Sequence, residues 1–171
     1  MTGAPPELTP PRVAVITVSS SRAARGGGED ASGEALVAFV EKLEGHLAGR
    51  ELIADDRAAI EAVLRRWADG NECDLILTTG GTGFAPSDLT PEATEAVIER
   101  RAPGIAEKLR AASAEHTRYA ALSRATAGIR GAALIVNFPG NPKAIDEAAP
   151  ALLPLLPHAI ALLRGAPAGH D

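Results

Sequence analysis

Apolar residues along this chain occur in two patterns, short unbroken blocks and stripes with helical spacing, and the two patterns alternate. Val13, Ala14, Val15, Ile16, Thr17 and Val18 form one block, Leu75, Ile76 and Leu77 a second, and Leu134, Ile135 and Val136 a third. Such blocks predict strands covered on both faces, because a strand with one wet face would alternate apolar and polar residues. Glu51, Leu52 and Ile53 predict a shorter strand between the first two. Among the stripes, Leu36, Val37, Val40, Leu43 and Leu47 predict one helix, with Gly45 and Gly49 marking its fraying end. Ile60, Val63, Leu64 and Trp67 follow the i, i+3, i+4, i+7 spacing of a second helix, which puts Trp67 in the core. A third helix is predicted over Pro91 to Arg101, and a further segment after Pro103 and Gly104 carries Ile105, Leu109 and Ala112. Pro150, Pro154 and Pro157 divide a last apolar helix that ends near Arg164. Residues 117–131 show no clear period.

Strands alternating with helices predict an α/β fold around an open, largely parallel sheet. The expected organisation is a single domain over residues 12–164. A flexible leader with Pro5, Pro6, Pro10 and Pro11 is expected over residues 1–11, and a flexible tail over 165–171. Ligands of such sheets bind beyond the carboxyl ends of the strands, so the loops Ser19–Gly28, Thr79–Asp88 and Phe138–Lys143 are expected to converge. In the second loop, Gly80, Gly81 and Gly83 allow positive φ and close approach, so successive N–H groups can point at an anion. Thr79 and Thr82 add hydroxyls. Thr90 is predicted to cap the next helix with Pro91 as its first residue, and Asn141 and Pro142 to do the same after the third loop.

Composition narrows the chemistry. The 171 residues, 46% of them hydrophobic, suit one domain that buries about 70% of its unfolded surface. A formal net charge of −5 without a Lys/Arg cluster argues against a nucleic-acid surface, so an anion must be met by backbone donors, isolated cations or a metal. Cys73 is the only cysteine, which excludes an internal disulfide and a cysteine-based zinc cluster, and its expected place is the interior beside a strand. The four histidines lack metal-ligand spacing. No signal-like or membrane-length segment is present, which implies a cytoplasmic, soluble protein. The glycine loop lacks the Gly-Lys-Ser/Thr ending of a P-loop and the spacing of a dinucleotide fingerprint.

Asp55, after the second strand, and Asp88, within the glycine loop, would repel a phosphate unless a magnesium ion bridged them, since magnesium takes one or two carboxylates together with phosphate oxygens. Blander readings stand beside this one. Asp55 or Asp56 could merely cap the following helix, leaving the other free; the glycines could form a tight turn; Asp88 could be a solvated acid. Ser19, Ser20 and Ser21 could simply solvate their loop, and Asn141 and Lys143 could be a helix cap and a surface charge.

The segment TTGGTGFAPSDLTPEAT, Thr78 to Thr94, resembles the signature of the molybdopterin adenylyltransferase (Mog/MoaB-type) family of molybdenum cofactor biosynthesis proteins. Supporting matches are TVSSSRA at Thr17–Ala23, EDASG at Glu29–Gly33, LIADD at Leu52–Asp56, LSR at Leu122–Arg124 and FPGNPKA at Phe138–Ala144. Together they extend over about Arg12 to Arg164. The resemblance implies a three-layer α/β/α fold, usually a homotrimer. It also implies transfer of AMP from ATP to the terminal phosphate of molybdopterin with release of pyrophosphate, before molybdate insertion by a partner protein. It implies Asp55 and Asp88 as the required carboxylates, associated with magnesium. Thr79, Gly80, Gly81, Thr82 and Gly83 would surround the phosphates, Ser19, Ser20, Asp30, Ser32 and Gly33 would form a second ligand segment, and Gly140, Asn141 and Lys143 would complete the pocket. Many relatives are acidic in the serine loop, where this chain has Ser20 and Ser21. A non-catalytic molybdopterin carrier of the same family is the alternative function.

Overall fold

The computed structural model describes residues 9–166. Its elements are β1 (Arg12–Val18), α1 (Ser20–Ala24), α2 (Ala31–Lys42), β2 (His46–Ile53), α3 (Arg57–Asp69), β3 (Leu75–Thr79), α4 (Thr90–Val97), β4 (Arg100–Arg101) and α5 (Pro103–Ala114). A 3-10 turn (Arg118–Leu122), β5 (Ala127–Arg130), β6 (Ala133–Phe138), α6 (Pro142–Ala148), a second 3-10 turn (Ala149–Leu152) and α7 (Leu156–Leu163) complete it. The six strands lie in the order β2-β1-β3-β6-β5-β4. β2, β1, β3 and β6 are parallel, and the β5 and β4 pairings are antiparallel.

The unbroken apolar blocks arise because both faces of the sheet are covered. Val13, Val15, Leu75, Leu77, Leu134 and Val136 point to one side, where α2, α5, α6 and α7 contribute Phe39, Leu109, Ile145 and Ile160. Ala14, Ile16, Ile76 and Ile135 point to the other, against Ile60, Leu64 and Trp67 of α3 and Val97 of α4. Helices on both faces make the expected three layers. No single described helix is long and apolar enough to cross a membrane.

Three local expectations are corrected. α2 stops at Lys42, not near Leu47: Glu44 turns at φ 54° and the Gly45 N–H returns to the Val40 carbonyl at 2.9 Å. Leu47 therefore belongs to the edge strand β2, whose parallel pairing with β1 outweighs the chance continuation of the helical stripe. The helix predicted to run to Arg101 ends at Val97, because Arg100 and Arg101 pair with Ile129 and Gly128. The featureless stretch 117–131 supplies the first 3-10 turn and β5.

Residues 9–11, expected in the leader, are tied down in the structure. The Arg164 guanidinium donates to the Thr9 and Pro10 carbonyls at 2.7 and 3.2 Å, and the His46 N–H to that of Pro11 at 2.7 Å. Residues 1–8, and 167–171 of the expected tail, lie outside the described residues. Asp74, 4% exposed, joins both ends of the domain by accepting from the Arg12 and Arg164 guanidiniums. Burial pushes its pKa up, but the hydrogen bonds from Arg12 and Arg164 outweigh this and hold the carboxyl well below the usual range. Asp74→Ala is expected to cost about 3 kcal/mol, because two guanidiniums lose one buried acceptor. With a depressed folded-state pKa, the contribution of Asp74 is complete above the unfolded value near 3.9 and is lost as pH falls below about 4. Thermal melts of both proteins from neutral to acid pH should show a gap that closes on acidification; a gap independent of pH would remove Asp74 from this role.

Candidate functional site

Because β1, β3 and β6 are parallel, their carboxyl ends and the loops after them lie on one edge of the sheet. Gly80 leaves β3 at φ +96°, and its N–H donates to the Phe138 carbonyl at 3.3 Å. A Cβ on Gly80 would overlap the Val18 carbonyl oxygen, and one on Gly140 would lie 3.3 Å from Gly80 Cα. The ends of three strands thus meet at one backbone position, which only glycine fits. Thr79 is buried and its hydroxyl donates to the Pro139 carbonyl at 2.8 Å, so it ties the second loop to the third and is not turned to the cleft. Thr90 is not a helix cap: α4 has Leu89 at its N-cap position with no side-chain bond, while Thr90 holds the glycine turn through its hydroxyl to the Gly80 carbonyl (2.9 Å) and its N–H to that of Gly81 (3.1 Å).

With the turn held in this way, the N–H groups of Gly81, Thr82, Gly83 and Phe84 find no acceptor among the described residues, nor do those of Gly140 and Asn141. Gly81, Thr82, Gly83, Asp88, Gly140 and Asn141 line one open cleft of about 390 Å³. Backbone amides without partners lose free energy unless water or a ligand satisfies them, and a run of them attracts anions.

Both carboxylates are anchored beside these amides. Asp55 Oδ2 accepts the Ser20 N–H at 2.6 Å, and the Asp55 N–H donates to Ser20 Oγ at 2.9 Å. Asp56 takes the capping role at α3, accepting from the Ala59 N–H at 2.8 Å. That leaves Asp55 Oδ1, which lies 3.3 Å from where a Gly81 Cβ would stand. Asp88 Oδ2 accepts the Ala85 N–H at 3.0 Å and would be 2.8 Å from a Cβ on Gly83. Each aspartate thus has one oxygen held by an amide and a second oxygen without a protein donor among the described residues. Two such oxygens suit magnesium, which completes its shell with water and phosphate oxygens. No described group of three His, Cys, Asp or Glu side chains forms a protein-only metal cage.

The remaining sequence-derived positions divide. Ser19 caps α1, accepting from the Arg22 N–H at 3.5 Å, so the first loop opens as a short helix. Asp30 and Ser32 are buried, 7% and 1% exposed, and are turned inward. Asp30 caps α2 through the Gly33 N–H (3.0 Å) and accepts from the Thr17 hydroxyl (2.7 Å) and Arg50 (2.9 Å). Burial raises its pKa, but these donors prevail and hold it below the ordinary value. A Cβ on Gly33 would overlap the Asp30 carboxylate, so the trio forms a brace under β1. Asn141 caps α6 by accepting from the Lys143 N–H at 3.0 Å; the Lys143 side chain is exposed, with Nζ 3.7 Å from Glu147. Cys73 is buried and donates to the Trp67 carbonyl at 3.3 Å, and burial pushes its thiol up to about 12, which keeps it protonated and inert in the interior.

Tyr119, Leu122 and Ser123 also line the cleft, and Tyr119 and Leu122 are 61% and 47% exposed. The Arg118 guanidinium lies 4.9 Å from the Tyr119 ring centre. Sequence reasoning assigned these residues no role because the stretch has no period; the LSR match at Leu122–Arg124 was the available signal. They add an apolar, partly aromatic rim to the amide-lined floor.

Residues 14–158 match the family described as a probable molybdopterin binding domain. The chain is 42% identical over 155 residues to a molybdopterin adenylyltransferase of Helicobacter pylori (strain J99), covering 88% of this chain and 86% of that protein. It is 49% identical over 96 residues to the molybdopterin adenylyltransferase of Escherichia coli K12, covering 56% and 49% of the two chains. The crystal structure of the molybdopterin biosynthesis enzyme MoaB from Thermus thermophilus superposes with a TM-score of 0.84 at 45% identity, covering 92% of this chain and 98% of that one. A family match over nearly the whole described domain, joined to the shared topology, shows that this chain belongs to the molybdopterin-binding domain family.

Proposed function

We propose that this protein is a molybdopterin adenylyltransferase, transferring AMP from ATP to the terminal phosphate of molybdopterin. The observation that carries the reading is the run of amides from Gly81 to Phe84 that have no partner among the described residues, set between two anchored carboxylates in a chain of net charge −5. An oxygen of the pterin phosphate attacks the α-phosphorus of ATP; the new P–O bond forms as the bond to the bridging α–β oxygen breaks, and pyrophosphate leaves with that electron pair. The attacking phosphate is already anionic near neutral pH, so no covalent nucleophile from the protein is needed, in keeping with the high pKa of Cys73.

The work of the chain is alignment and charge neutralisation. The amides of Gly81, Thr82, Gly83 and Phe84 receive phosphate oxygens, with those of Gly140 and Asn141 opposite and the Thr82 hydroxyl beside them. Ser20 orients Asp55, while Ser19, Thr79 and the Asp30–Ser32–Gly33 brace hold the loops in place. Asp55 and Asp88 would hold magnesium, which supplies positive charge to the phosphate oxygens. Tyr119 and Leu122 offer an apolar wall to a heteroaromatic ring, and Lys143, beside the third loop, is an exposed cation that would have to leave Glu147 to meet the departing pyrophosphate. The family resemblance extends the proposal to a homotrimer, a cytoplasmic location and delivery of the product to a molybdate-inserting partner protein.

The test is direct. Purified protein mixed with ATP and molybdopterin is expected to release one pyrophosphate per adenylylated pterin, and only with magnesium present. Tight pterin binding with no adenylylated product would overturn the proposal in favour of a carrier.

A further inference from the structure

One side chain in contact with the glycine loop has no assigned role. Arg124 follows the first 3-10 turn and reaches back to the carbonyl side of the glycine loop. Its own N–H donates to the Thr82 carbonyl at 2.9 Å. Its guanidinium donates from Nε to the Gly83 carbonyl at 2.7 Å and from one terminal nitrogen to the Asp88 carbonyl at 2.6 Å. The other terminal nitrogen pairs with Glu92 of α4. The strand of chain that carries Arg124 is itself held from behind, because Arg110 of α5 donates to the Ala125 carbonyl at 2.7 Å. Every guanidinium nitrogen is in use, and the group enters the loop already oriented.

These contacts have a consequence for the amides. In a trans peptide the C=O and the following N–H point in opposite directions. Drawing the Thr82 and Gly83 carbonyls to Arg124 therefore turns the N–H groups of Gly83 and Phe84 the other way, and both lack an acceptor among the described residues. The third bond, to Asp88, fixes the far end of the same loop next to the carboxylate whose Oδ2 takes the Ala85 N–H. The two ends of the loop are thus pinned by one rigid fork, which a lysine ammonium cannot reproduce.

We propose that Arg124 is a positioning residue for nucleotide transfer: by holding the Gly83 and Asp88 carbonyls in one guanidinium fork, it sets the phosphate-facing amide of Phe84 in register with the Asp88 carboxylate, beside the Gly83 amide that its own backbone N–H orients through the Thr82 carbonyl. Its bearing on turnover rests on the adenylyltransferase reading, whereas its control of the loop does not. Arg124 itself touches no reacting atom. Glu92 keeps the fork from rotating and Arg110 keeps its backbone in place.

Arg124→Ala and Arg124→Lys test this by amide hydrogen exchange and by steady-state kinetics. The N–H groups of Ala85, Asp88 and Thr90 close the loop internally, to Asp88 Oδ2, the Ala85 carbonyl and the Gly81 carbonyl. In both variants they are expected to exchange about 10-fold faster or more, while amides of β1, β3 and β6 keep their wild-type rates. AMP transfer is expected to lose about 100-fold in kcat with a much smaller change in the KM for ATP, since displaced amides still bind phosphate but no longer align it. Added ethylguanidinium should restore part of the Arg124→Ala activity in a saturable way, which ethylammonium should not. Unchanged exchange at the three amides, or Arg124→Lys turnover within about threefold of wild type, would overturn the assignment. Should Arg124→Ala fail to fold, Arg124→Lys carries both measurements. A wild-type protein that transfers no AMP would defeat the proposed function, and the exchange of the three amides would still decide the role of Arg124.

Discussion

Asp88→Asn is expected to lower kcat for AMP transfer roughly 1,000-fold, equivalent to about 4 kcal/mol of transition-state stabilisation, with the thermal midpoint almost unchanged. The substitution isolates charge from shape. An asparagine oxygen can still accept the Ala85 N–H, so the turn that Asp88 closes at 3.0 Å survives. What disappears is the negative charge beside Gly83, together with the strong oxygen donor that would hold magnesium against phosphate. ATP binding through the loop amides should persist, because those donors are untouched. Parallel measurement of kcat, the magnesium concentration at half-maximal rate and the melting temperature checks the claim. Turnover within tenfold of wild type would remove Asp88 from the chemistry.

Gly80→Ala is expected to abolish measurable transfer and also to weaken the fold, by about 4 kcal/mol. Two penalties combine at this residue. The φ of +96° lies where L side chains are strained, and the added methyl group would overlap the Val18 carbonyl at the end of β1. Relief requires β1 and β3 to separate where the Gly80 N–H and the Thr79 hydroxyl bind the third loop. In a domain of this size, the melting temperature should fall by about 8–16 °C. Gly131→Ala is the matched control. That residue also has positive φ, +55°, in the turn from β5 to β6, but a methyl group there meets nothing within 4 Å, so the cost should be near 1 kcal/mol with full activity. Equal effects of the two substitutions would show that backbone strain alone, and not the crossing of the strand ends, makes Gly80 necessary.

The core strands were legible because burial on two faces writes itself into the chain as an unbroken apolar block, and β1, β3 and β6 all show it. Helix α3 was legible for the complementary reason, a stripe ending in Trp67 against the sheet. β4 and β5 were not. Two and four residues long, they are strands only because each finds an antiparallel neighbour, and nothing in Arg100–Arg101 marks them off from the helix before them. The N-terminal half of β2 was hidden by Leu47, which continues a helical spacing but pairs with Val13.

The candidate site shows the same division. Glycine spacing, Asp88 and the order of motifs could be read directly, since backbone freedom and charge belong to residue type. The choice between Asp55 and Asp56 could not, because both precede the same helix and only the Ser20 N–H and the Ala59 N–H, from opposite sides, separate an anchored carboxylate from a cap. Thr79 and Thr82 look equivalent in the sequence, yet the hydroxyl of one is bonded to the Pro139 carbonyl while the other residue lines the cleft. Asp30 and Ser32 likewise lie in a ligand-like motif and face inward. Arg124 enters the sequence only as the last residue of the LSR match, with no role attached, and its importance comes from carbonyls about 40 positions earlier in the chain. By itself the sequence determined the layered α/β fold, the glycine turn and the family, because these depend on hydrophobic period, residue type and motif order. The tertiary structure alone decided which hydroxyls, carboxylates and amides remain without a partner at the meeting of the three loops, because hydrogen bonds between distant segments are settled only when those segments pack.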